Sequence, residues 1–134
     1  MAEDNSTSPV LLDDEGAITN QLETCLKHIF AKYCTPAVQR PSVEDTPTLL
    51  APPPNAYLSG DDLQRWAVDT NGEPFSEETR EEVVESFDVT EDGNLTFKGF
   101  LQLYQLQTEN DEAETWKDLR KHGFNQKLSL VTAS

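Results

Sequence analysis

Positive charge is scarce in this chain. Ten Lys and Arg stand against 25 Asp and Glu in 134 residues, a formal net charge of −15. Such a surface repels nucleic acid and anionic membrane and favours cations, basic peptides or basic protein faces. Long apolar runs are missing too. No stretch approaches the ~20 residues a membrane helix needs, and the N-terminus MAEDNSTSPV has neither the basic start nor the apolar stretch of a secretion signal. A soluble, cytoplasmic protein without membrane insertion is expected. Cys25 and Cys34 are the only cysteines, and His28 and His122 the only histidines. If one helix carries both cysteines, they stand ~13 Å apart on roughly opposite faces. That is too far for a disulfide, whose Cα atoms lie within about 7 Å. Two reduced thiols, one of them in the core, are expected. Cys25, His28 and Cys34 lack the fourth ligand of a zinc site, and Cys34 is expected to face away. No nucleophile is arranged near either histidine, so catalysis is not expected. His122 falls at a predicted helix end, where a positive imidazole is favourable.

What is present reads as short helices separated by marked breaks. Residues 1–15 mix Ser, Thr, Asp, Glu and Pro and predict a disordered acidic tail. From Ala17 to Tyr33, apolar Ile18, Leu22, Cys25, Ile29 and Tyr33 recur at helical spacing, and Pro36 ends the run. The stretch 35–56 is dense in proline and predicts a long, mobile loop. Ser59 then caps a helix closed by Asn71-Gly72, and Ser76 caps another whose buried edge is Val83, Val84 and Phe87. A further helix spans about Lys98 to Thr108. The last runs from Asp111 to Gly123 with Ala113, Trp116 and Leu119 on one face. The folded part is expected over 16–125, with 126–134 a flexible tail.

The stretch FDVTEDGNLTFKGFL, residues 87–101, carries the most chemistry. Counting Asp88 as the first of twelve loop positions places Thr90, Asp92, Asn94 and Thr96 at the third, fifth, seventh and ninth, with Gly93 at the sixth. All five can offer oxygen to a calcium ion. The twelfth is Gly99, where a bidentate glutamate normally completes the site. Two readings stay open: a weak Ca2+ or Mg2+ site, or an Asx-rich turn kept for its shape. No cofactor is required in either case.

YLSGDDL (57–63) and NLTFKGF (94–100) share a pattern, an aliphatic residue before Ser or Thr and an apolar helix resuming soon after. On these residues the chain resembles the EF-hand superfamily, with 17–70 as a first hand and 76–109 as a second. The resemblance implies an all-α fold of paired EF-hand-like helix-loop-helix units, a short two-stranded bridge joining Leu58 to Leu95, and an extra C-terminal helix. Asp62 takes the twelfth position of the first hand, whose other ligands are replaced by the proline-rich stretch. LTFKGFL followed by ETWKDLRKHGFNQKLSL is similar to the EF-hand portion of the Miro-type mitochondrial Rho GTPases, over roughly residues 94–130. In that family the extra helix lies in the groove of its own EF-hand pair as a ligand mimic, which would make Trp116 and Leu119 its anchors here. The GTPase phosphate loop, GKS or GKT, does not occur.

The function expected is a non-catalytic protein-interaction module, an adaptor or subunit of a larger assembly, whose partner offers a basic or amphipathic helical surface. The alternative is a calcium-responsive sensor with one weak site in loop 88–99.

Overall fold

The computed structural model describes residues 10–37 and 49–130. Among them are five helices, α1 (Asn20–Ala31), α2 (Gly60–Asn71), α3 (Glu77–Ser86), α4 (Phe97–Asn110) and α5 (Glu112–Lys121), and two strands, β1 (Tyr57–Leu58) and β2 (Leu95–Thr96). The fold is all-α with a minimal antiparallel sheet.

Local chemistry sets the helix limits. Thr19, Ser59, Ser76, Thr96 and Asp111 each turn a side-chain oxygen to a backbone N–H of the first turn, satisfying donors that have no partner inside the helix. At α2 the cap is reciprocal, because Asp62 also accepts from the Ser59 N–H. The same helix stops at Gly72, whose φ of +88° is open to glycine at little cost.

The core gathers Leu22, Leu26, Ile29 and Phe30 from α1, Leu63, Trp66 and Ala67 from α2, Phe100 and Tyr104 from α4, and Leu119 from α5. Phe100 is its aromatic centre, with edge contacts to Phe30 at 5.4 Å, Trp66 at 5.5 Å and Tyr104 at 5.2 Å. α3 contributes little. Val83 is buried and the half-buried Phe87 packs against the core, but Val84, expected on the same edge, is 39% exposed.

Several boundaries differ from the sequence expectation. α1 is shorter than 17–33, and Cys34 lies beyond it, after the turn at 32–33. There the chain folds back and buries Cys34 as well as Cys25, so both thiols, each free, belong to the core. Residues 10–15, expected in the acidic tail, form a small hairpin: Leu12 pairs with Ile18, and Leu11 is buried. Residues 126–130, expected in a flexible tail, turn back so that Phe124 pairs with Leu130. Both ends of the proline-rich loop are engaged. Thr35 bridges to Tyr57, and the Leu50 N–H donates to His28 Nδ1 at 3.0 Å. Its stretch 38–48, residues 1–9 of the acidic tail and residues 131–134 of the C-terminal tail lie outside the described residues.

Candidate functional site

β1 and β2 hold the two helix-loop-helix units together. Tyr57 faces Thr96 and Leu58 faces Leu95 in antiparallel register. Leu58 and Leu95 are both fully buried in the common core. Burying a leucine contributes about 1.5–3 kcal/mol, so this clasp supplies cohesion without any ion. Leu95 also pairs within its own loop, with Val89.

That second pairing reshapes loop 88–99. The Thr90 N–H donates to the Asn94 carbonyl at 2.8 Å and the Thr96 N–H to the Asp88 carbonyl at 3.1 Å, closing a small hairpin. The candidate ligand oxygens are drawn into it. Asp88 Oδ2 accepts from the Thr96 hydroxyl at 2.5 Å, and Thr90 Oγ1 accepts from the Asn94 N–H at 3.2 Å. Thr96 Oγ1 accepts in turn from the Gly99 N–H at 3.1 Å as the cap of α4. Of the five candidates, only the exposed Asp92 has no hydrogen bond among the described residues. Gly99 is buried, and a Cβ there would collide with the Asp88 carbonyl oxygen and stand 2.7 Å from Leu95 Cδ1. Calcium needs six to eight oxygens converging at 2.3–2.6 Å. These residues do not offer such a set here: Asp88 Oδ2 and Thr90 Oγ1 accept hydrogen bonds from within the loop, and the twelfth position has no room for a side chain. Among the described residues, no group of three or more His, Cys, Asp and Glu side chains could hold a metal ion.

In the first hand Asp62 is likewise taken. Its carboxylate accepts from the Thr35 hydroxyl at 2.6 Å, the Ser59 N–H at 3.0 Å and Arg65 at 2.6 Å. Burial works to raise its pKa, but these bonds outweigh burial and hold the carboxyl below its ordinary range. Asp62 therefore ties one end of the proline-rich loop to the start of α2.

α5 packs on α4 and α2. Leu119 is fully buried, while Trp116 is half-buried with its indole N–H 3.3 Å from Glu112 Oε2. The rest of the docked face is polar: Thr115, Asp118 and His122 are all buried. With Leu119 they follow helical spacing, and this is the stripe an apolar reading of the sequence overlooks. Tyr104 and Gln107 donate to Asp118 Oδ2 at 3.0 and 3.1 Å. Thr108 donates to the Tyr104 carbonyl at 2.6 Å, so the 2.8 Å bond between Thr108 and Thr115 has Thr115 as donor. Burial raises the Asp118 carboxyl, and the two hydrogen bonds offset this only in part.

His122 is not the charged cap its position suggested. Its Nδ1 lies 2.8 Å from Lys32 Nζ and its Nε2 2.8 Å from Thr70 Oγ1. An ammonium group can only donate, so Nδ1 accepts and Nε2 carries the proton toward Thr70. Burial, reinforced by Lys32, lowers its pKa to about 3. The neutral imidazole pins the end of α5 to α1 and α2.

A protein-family model described as "EF hand associated" matches residues 76–133, which cover the second hand, α5 and the returning segment. This relates that part of the chain to EF-hand proteins, in keeping with the paired units seen here. No curated protein and no solved structure gives a significant match. Among the described residues, no helix is long and apolar enough to cross a membrane.

Proposed function

We propose that this chain is a non-catalytic protein-interaction module, an adaptor or subunit of a larger assembly, built on a degenerate EF-hand pair. The observation that carries this reading is the closure of loop 88–99. Asp88, Thr90, Asn94 and Thr96 are bonded to one another, and Gly99 is packed against the Asp88 backbone. A loop in that state supports the bridge and the start of α4 without an ion. The Miro-like resemblance would make α5 a ligand mimic, but of the four side chains buried along α5 and its C-cap, Thr115, Asp118 and His122 are polar and hydrogen-bonded. We read it as a fixed part of the fold.

One face open to a partner is acidic. α3 presents Glu77, Glu78, Glu81, Glu82 and Glu85 to solvent around the exposed Val84. A basic amphipathic helix or basic protein face matches this in sign and in its apolar contact. The net charge of −15 argues against nucleic acid as the partner. Co-purification of the full chain followed by mass spectrometry tests the reading: a recurrent partner lost on charge reversal of α3 is expected. Titration calorimetry with Ca2+ and Mg2+ tests the sensor alternative. A one-site isotherm abolished by Asp88→Ala would replace the adaptor reading with the sensor.

A further inference from the structure

We propose that the cleft between α1, the proline segment before β1 and the start of α4 is a docking site for a short acidic peptide segment with an apolar anchor residue. The cleft measures about 460 Å³ and is lined by Lys27, the run Pro52 to Pro54, Phe97 and Lys98 among others. Among the described residues no Asp or Glu lines it, although the chain holds 25 acids against ten bases. Two cations facing one hollow with no acid among its described lining select a partner of negative sign. The walls add a second requirement. Pro52 to Pro54 have fixed φ and no N–H donors, and so present rigid apolar surface at little entropic cost. Phe97 is held by an edge contact to Phe30 at 5.2 Å. A purely ionic ligand would leave this apolar lining unused, whereas an acidic peptide with one aliphatic residue uses both.

The cations are available for it. Lys98 is exposed and has no hydrogen-bond or ion-pair partner among the described residues. Lys27 pairs with Glu23 at 3.5 Å, with side chains 44% and 37% exposed, and solvent-exposed pairs of this kind are readily exchanged. At long range the −15 chain repels an acidic partner. At ~0.15 M salt charges are screened over about 8 Å, so the two local lysines decide the contact. This surface is distinct from the acidic face of α3; because Thr90, Thr96 and Lys98 of loop 88–99 belong to its lining, binding is measured with a chelator present, so that the two proposals fail separately.

The test is fluorescence anisotropy of a fluorescein-labelled peptide Asp-Glu-Leu-Glu-Asp against the full chain, at ~0.15 M salt with a chelator present. Saturable binding is expected, about tenfold weaker for the Asn/Gln counterpart peptide and about tenfold weaker for the double variant Lys27→Gln with Lys98→Gln. Lys117→Gln, on α5 and away from the cleft, should bind as the parent does. No saturation up to roughly 1 mM chain, or equal affinity for acidic and neutral peptides, overturns the proposal. So does unchanged binding by a double variant whose circular dichroism is native. Sedimentation showing self-association abolished in the double variant would also overturn it, by making a second copy the occupant.

Discussion

Gly99 and Asp88 are packed backbone to backbone, so closely that a Cβ on Gly99 would overlap the Asp88 carbonyl oxygen. The missing glutamate of the twelfth position is therefore more than an absent ligand. The loop has closed over the space that a side chain would need. Restoring the ligand by Gly99→Glu should not restore a calcium site. It should instead destabilise the fold by about 1–3 kcal/mol or more, the cost of forcing atoms into a packed site, and Gly99→Ala should share most of that loss. Urea unfolding with and without millimolar calcium checks this. A Gly99→Glu chain as stable as the parent, or stabilised by the ion, would show that the loop opens more easily than its hydrogen bonds imply.

The inter-hand clasp makes a second prediction. Leu95 is fully buried and touches both its partner Leu58 and its own loop, so Leu95→Ala leaves a cavity that helices fixed on both sides cannot fill. A loss of about 2–5 kcal/mol is expected. Unfolding should remain one cooperative transition if the two units share a single core, and fluorescence and circular dichroism should then report the same midpoint.

For α5 the anchoring residues separate. Leu119→Ala should cost about 2–5 kcal/mol, because the side chain is fully buried. Trp116→Ala should cost less than Leu119→Ala despite removing a larger group, since its ring is half exposed and its indole bonds only the surface residue Glu112. The order of the two urea midpoints is the measurement. The reverse order would return Trp116 to the role of main anchor.

How far the sequence foretold this molecule depends on the kind of signal. Helix limits were legible where a short polar residue caps a run, as at Ser59, Ser76 and Asp111, because the cap acts through its own side chain and the next turn of backbone. The Leu58 and Leu95 pairing was legible through its aliphatic-then-hydroxyl pattern. What escaped were relations that need a third dimension. The buried stripe of α5 reads Thr115, Asp118, Leu119 and His122, and three of these look like surface residues until Tyr104, Gln107, Thr108 and Thr70 supply their partners. Asp88, Thr90, Asn94 and Thr96 read as ligands because ligand spacing and hairpin spacing coincide over those residues. What separates the two here is the hydrogen bonding of Asp88 Oδ2 and Thr90 Oγ1 within the loop and the closed space at Gly99.

The last prediction concerns acid. His122 titrates near 6.5 when free and near 3 in the fold, so the folded state favours the neutral ring. Its contribution to stability is fully present above pH 6.5 and falls as the pH drops toward about 3, because the unfolded chain gains a proton that the folded chain refuses. The slope for one such proton is ~1.4 kcal/mol per pH unit, so about 1.4 kcal/mol should be lost between roughly pH 7.5 and 5.5. Asp118 acts in the opposite sense. Its folded pKa is raised, so its contribution is complete below the free carboxyl value of 3.8 and is lost as the pH rises through the folded value. Relief of repulsion among 25 acids also favours the folded chain on acidification, which would mask the histidine in a single titration. The difference between the parent and His122→Gln cancels these shared effects. As the pH falls from roughly 7.5 to 5.5, the stability of the parent relative to the variant should drop by about 1.4 kcal/mol, whichever of the two is the more stable at neutral pH. Parallel profiles would mean that His122 takes up its proton in the fold as readily as in the unfolded chain, and that burial beside Lys32 does not hold the ring neutral.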